Sequence, residues 1–166
     1  MKQVISMLLC MCLVLPLFGC NQAVKIEKPV TYYYRRAELT HGVNDGVIAG
    51  EQRESLGHEG DIGYLLAQYI SGPHSAAFDQ TFPNNLFIVS LRNSNNIISI
   101  VFSYHLAELS GIDLTIACAC ITKTVIEMTG VEAVQISSAG ELLDDYQFIT
   151  MDKDSLLLLD SSGNGN

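Results

Sequence analysis

Between Asp61 and Pro73 the apolar residues Ile62, Leu65, Leu66, Tyr69 and Ile70 recur at offsets of 0, 3, 4, 7 and 8, which gathers them on one face of a helix. Gly72-Pro73 closes it, since glycine accepts a left-handed turn and proline cannot continue the helix. A second helix follows Ser110-Gly111-Ile112-Asp113, a sequence with the form of a capping box. Its stripe is Leu114, Ala117, Cys118, Ile121, Val125 and Met128, with Thr115, Thr122 and Glu127 set away from it and Gly130 as the stop.

The other periodic segments alternate. Val30 to Arg36 is β-branched and aromatic and predicts a strand. Its alternation puts Tyr32 and Tyr34 on one face and Tyr33 on the other, so the three rings do not form one flat platform for a sugar. Leu86 to Leu91 and Ile97 to Tyr104 predict a hairpin joined by the five residues Arg92 to Asn96. In its second strand Ile98, Ile100 and Phe102 share one face and Ser99, Val101 and Ser103 the other, so helices are expected to cover one side only. Val131 to Ser137 predicts a further strand turned at Ala139-Gly140. Tyr146 to Met151 and Leu156 to Leu159 read as edge strands. The stretch from 41 to 61 is rich in Gly42, Gly46, Gly50, Gly57 and Gly60, with Gly63 just beyond, and in Asp45, Glu51, Glu54, Glu59 and Asp61. It reads as loop, with a short extended piece at Val47 to Ala49. The elements define an α+β domain over residues 30–160, a small mixed β-sheet with two helices packed on one face in β-αββαβ order, followed by a polar tail at 161–166.

The start of the chain has a different character. Val4 to Phe18 is apolar after the basic Lys2, and is shorter than the roughly 20 residues a spanning helix needs. Residues 1–19 therefore read as a secretory signal. The signal ends in Leu17-Phe18-Gly19-Cys20, which resembles a bacterial lipobox, with Phe18 where that pattern carries a smaller residue. The resemblance implies a diacylglycerol on Cys20, cleavage before it, and a cell-membrane protein facing the extracytoplasmic side. Residues 20–29 then form anchor and tether.

Of five cysteines, Cys10 and Cys12 lie in the signal and Cys20 takes lipid, leaving Cys118 and Cys120 for the domain. Two residues apart on a helix they point to opposite sides and do not bridge, so they read as small buried hydrophobes. A net charge of -9 and a pI of about 4.7 argue against nucleic acid as a partner, because little in the chain would displace phosphate counterions.

No motif for an enzyme, a metal or a cofactor stands out. His41 and His58 lie among acids but without metal-ligand spacing. A Ser-His pair would have to come from Ser71, His74 and Ser75, or from Ser103 and His105 with Glu108 or Asp113 as the acid. The ordinary reading of these residues is a helix end and a strand end, and Asp144-Asp145 reads as a solvated turn.

Five pieces in order resemble the GerM domain, a family named for a sporulation and germination protein. They are Tyr32 to Tyr34, Ile70-Ser71-Gly72-Pro73, Ile100-Val101-Phe102-Ser103, Thr122-Lys123-Thr124-Val125, and Gly130-Val131-Glu132-Ala133-Val134-Gln135-Ile136 running to Gly140. The resemblance covers roughly residues 30–141. It implies a fold similar to a ring-building motif and a noncatalytic lipoprotein acting as an assembly or scaffolding module, through self-association or an envelope protein partner. One such domain stands here where the founding protein has two. The alternative from the residues is a module that binds a cell-wall glycan or small ligand, rimmed by Tyr32 to Arg36 and the 41–61 loop.

Overall fold

The structure, a computed structural model, describes residues 29–38 and 46–160. The signal, Cys20, its tether up to Lys28, His41 and the polar tail lie outside the described residues. The elements run β1 (Pro29–Arg35), β2 (Ile48–Glu54), α1 (Ile62–Ile70), β3 (Ile88–Ser94), β4 (Ile97–Phe102), a 3-10 turn (Tyr104–Glu108), α2 (Gly111–Thr129), β5 (Ala133–Ser138), β6 (Ile149–Asp152) and α3 (Lys153–Asp160).

Strands β3-β4-β5-β6 form a four-stranded sheet, while β1 and β2 pair by themselves. β4 and β5 are parallel, with Ile98 opposite Val134 and Ile100 opposite Ile136. A parallel pair needs a long crossover, and α2 supplies it. Ile98, Ile100, Phe102, Val134 and Ile136 are fully buried, whereas Ser99, Val101, Gln135 and Ser137 on the opposite face are only half-buried. The sheet is thus covered on one side, as its alternation predicts.

α2 lies between the two sheets, packed against β1 on one side and against β5 and β6 on the other. That position explains why its apolar stripe is broader than the spacing predicts. Thr122, expected away from the core, is completely buried, as is Thr124. The Thr124 hydroxyl accepts from the Tyr33 N–H at 2.9 Å and so ties the outer edge of β1 to the helix. Gly130 closes α2 in the left-handed conformation at φ 75°, its N–H donating to Ile126 O, the geometry that glycine provides without a Cβ clash.

Four details differ from the sequence reading. Residues 48–54 are a strand, not loop: their backbone bonds are made by β1 across an antiparallel ladder from Pro29/Glu54 to Arg35/Ile48. The hairpin connection is the two-residue turn Asn95-Asn96, both at positive φ, because the strands extend through Ser94; two such residues match the twist of the flanking strands. Leu156 to Leu159 belong to helix α3 and not to an edge strand, with the Ser155 N–H donating to Asp152 Oδ1 at 2.8 Å at its start. The capping box does not close, since the Ser110 side chain makes no cap bond. Asp113 instead accepts from Arg35 Nη1 at 2.8 Å, and Asp144 Oδ2 takes the Gly111 N–H at 2.7 Å.

Candidate functional site

β1 delivers its tyrosines to both sides of the strand. Tyr32 and Tyr34 face the core and meet Tyr69 of α1, with the Tyr32 and Tyr69 rings stacked at 5.5 Å. The Tyr34 hydroxyl donates to Tyr69 O at 2.7 Å, and the Tyr69 hydroxyl to Tyr33 O at 2.7 Å. Burial pushes both phenols up from their ordinary range, so they remain hydrogen-bond donors. Tyr33 faces α2, where its hydroxyl bonds Glu127 and its ring carries Lys123 Nζ at 4.9 Å. These rings serve packing.

Across from them on β2, Arg53 turns inward. Its guanidinium sits 5.0 Å from the Tyr32 ring centroid and donates to Gly72 O at 2.7 Å and to the Tyr34 hydroxyl at 3.0 Å. Arg53 Nε donates to Glu51 Oε2 at 2.7 Å, and Glu51 also accepts from the backbone of His74 and Ser75. Burial alone would raise the Glu51 carboxyl; the hydrogen bonds from Arg53, His74 and Ser75 outweigh it and hold the group below its ordinary value. The network joins β1, β2, α1 and the loop after α1. Beside it opens a groove of about 490 Å³ lined by residues including Gln52, Arg53, Leu56, Tyr64, Gln68 and His74. Leu56 stands on its rim at φ 53°, and the outer Tyr64 ring is stacked on His58 at 3.8 Å.

Ser71, His74 and Ser75 do not assemble. The Ser71 hydroxyl donates to Gln68 O, and His74 and Ser75 offer their backbone N–H groups to Glu51. Ser103 and His105 do meet, at 3.1 Å between Oγ and Nδ1. They do so at the start of the 3-10 turn and not along a strand. Ser103 is only 1% exposed, and its hydroxyl also accepts the Phe87 N–H. A buried oxygen held by the fold is poorly placed to attack a substrate. Asp113, one candidate acid, is bound to Arg35. Among the described residues no group of three or more His, Cys, Asp or Glu could hold a metal ion. Asp144 and Asp145 form the tip of a tight turn, both at positive φ, closed by reciprocal backbone bonds between Leu143 and Tyr146.

A feature that sequence periodicity does not reveal lies at the end of the sheet where β4 and β5 finish. Phe87, Tyr104, Ile112, Leu142, Tyr146 and Phe148 are each between 52% and 77% exposed there. Their segments are bound to one another: the Ser103 N–H donates to Phe87 O, the Ala139 N–H to Phe102 O, and the Gly111 N–H to Asp144. The residues come from three connections and the first turn of α2 and obey no period, so only the tertiary structure brings them to one pole. Their signal in the sequence is the presence of large apolar residues inside turn segments.

This arrangement, a mixed sheet covered on one face and crossed by α2, defines the α+β class with the fold of GerM-like domains. The structure is similar to the tandem GerMN domains of the sporulation protein GerM from Bacillus subtilis, with a TM-score of 0.57 and 17% identity, over 76% of this chain and 46% of that one. The chain thus spans less than half the length of that structure. It is also similar to a protein from Clostridium perfringens described as a lipoprotein, with a TM-score of 0.50 and 14% identity, over 79% of this chain and 91% of that one. No protein-family model matches the chain, and no curated protein does. At these identities the likeness is one of fold. No helix among the described residues is long and apolar enough to cross a membrane.

Proposed function

We propose that the protein is a noncatalytic lipoprotein of the cell envelope, held through a diacylglycerol on Cys20, whose GerM-like domain acts as an assembly or scaffolding module in sporulation or germination. The observation that carries the reading is the pole that gathers six of the exposed large apolar side chains at one end of the sheet. Surfaces of that kind mark contact with other macromolecules. The fold shared with a sporulation protein and with a protein described as a lipoprotein supports the setting. The commitment of Arg53, Glu51 and Ser103 to internal bonds supports a role without catalysis.

The anchor is tested by feeding cells labelled palmitate: the chain takes up label, and Cys20→Ala abolishes it. The module is tested by extracting the full chain from native membranes in mild detergent and measuring its mass by light scattering. A complex larger than one chain with its detergent is expected. A second reading, a binder of wall glycan or small ligand, is favoured by the groove between β2 and α1. A monomeric extract that binds soluble wall fragments saturably would replace the first reading with the second.

A further inference from the structure

The apolar pole has an acidic border. Two of the segments that form it, residues 104–113 and 139–148, carry Glu108, Asp113, Glu141, Asp144 and Asp145 and no lysine or arginine at all. All five acids belong to exposed residues. Arg35 reaches in from β1 to Asp113 at 2.8 Å and lies 3.8 Å from Asp79, which leaves the excess negative. Apolar centre and charged border together are the usual anatomy of a protein contact surface.

The same charge selects the occupant. A second copy docking pole to pole would set these carboxylates against their equivalents, an arrangement that like charges oppose. Docking of the pole on another face of a second copy fares no better. The cations among the described residues are scattered over β1 and Arg36 just after it, β2, β3, α2 and α3, and Arg53 is turned inward to Glu51. Anionic lipid is opposed by the same border. Geometry points the same way. β1 runs antiparallel to α2, since Pro29 shares a cavity wall with Glu127 and Met128 while Arg35 reaches Asp113. The chain therefore enters the domain at the C-terminal end of α2, and the apolar pole lies at the other end, about 28 Å away for a helix of 19 residues.

We infer that this pole is a docking surface for a different protein, one that presents an apolar patch bordered by lysine or arginine. The inference rests on the assembly reading and names the chemistry of the partner.

The test uses the full chain in neutral phosphatidylcholine nanodiscs and two fluorescent amphipathic peptides with the same leucine pattern, one filled with lysine and one with glutamate. The lysine peptide binds saturably and roughly ten-fold or more tighter than the glutamate peptide, and it weakens as salt rises to about 0.3 M. Tyr146→Ser with Phe148→Ser lowers that affinity roughly ten-fold or more, with an unchanged thermal melt as the check on folding. Leu56→Ser, at the groove, leaves it intact. Equal binding of the two peptides, no binding, or full binding by the pole variant overturns the inference. So does a dimer that the pole variant dissolves, which would make the occupant a second copy, or binding to phosphatidylglycerol vesicles that the variant loses. If the pole variant still enters the membrane-extracted complex, the pole assignment fails and the assembly reading stands. If the native chain forms no complex, the assembly reading itself fails.

Discussion

Arg53 and Glu51, two residues apart on β2, form an ion pair whose side chains are 9% and 10% exposed. Residues at i and i+2 share a strand face, and this face is turned toward Tyr32, Tyr34 and the loop after α1. Removing one partner of such a pair strands the other charge, at a cost of roughly 3–5 kcal/mol. Arg53→Met and Glu51→Gln are each expected to destabilise on that scale. The double variant should lose clearly less than the two losses added together, because neither charge is then left alone. Chemical denaturation of the four proteins measures the cycle; strict additivity would mean that the pair is not coupled.

The same carboxylate sets a pH dependence. Its native pKa is depressed, so the unfolded chain takes up the proton first as pH falls. The stability it contributes is complete above the ordinary carboxylate range and is lost as pH drops through the depressed native value. Melting temperature followed on acidification should fall more steeply for the native chain than for Glu51→Gln. Parallel curves would remove Glu51 as a source of acid sensitivity.

Thr122 and Thr124 separate two roles of a buried hydroxyl. Thr122 Oγ1 has no hydrogen-bond partner, whereas Thr124 Oγ1 accepts the Tyr33 N–H. Thr122→Val replaces an unsatisfied polar atom with a methyl of similar shape and is expected to be neutral or stabilising. Thr124→Val leaves an N–H of β1 without its acceptor and should cost about 1–3 kcal/mol. Equal effects in thermal melts would contradict the assignment.

Gly72 is the less replaceable of two helix-end glycines. It sits at φ 105°, and an added Cβ would displace the Gln80 carboxamide, which bonds Phe82 O. Its carbonyl also receives Arg53 and Tyr34. At Gly130, φ is 75° and no atom lies within 4 Å of the built Cβ. Gly130→Ala is expected to cost about 1–2 kcal/mol for the left-handed backbone alone, and Gly72→Ala more. Denaturation midpoints of the two variants give the comparison, and a smaller loss at Gly72 would refute it.

Ser103 offers a check on chemistry. Buried and bonded as it is, it is expected to stay unlabelled when the native chain is treated with a fluorophosphonate. Labelling that Ser103→Ala removes would revive the Ser-His reading.

Helices α1 and α2 were legible because each carries its own evidence: a period of apolar positions with Gly72-Pro73 or Gly130 at the end. The tyrosine alternation of β1 was legible for the same local reason. β2 was hidden because its inward positions include Glu51 and Arg53, so no apolar alternation marks it, and its strand state depends on β1. An acid and a base at i and i+2 were the trace it left. α3 leaves no distinct mark in the sequence, because a short apolar run such as Leu156 to Leu159 suits either element. The Ser103–His105 contact was anticipated, but through a strand geometry that a 3-10 turn replaces. The groove and the apolar pole draw on segments far apart in the chain, and only packing assembles them.

Cys118 and Cys120 are fully buried within α2, unpaired, and burial pushes both thiols up, that of Cys118 to about 12. Nucleophilic attack and disulfide exchange need a thiolate that solvent can reach. The described domain therefore presents no thiol for oxidants or exchange partners at neutral pH. Its covalent state should be the same on the oxidising side of a membrane as on the reducing side, which makes the fold indifferent to the redox character of its compartment.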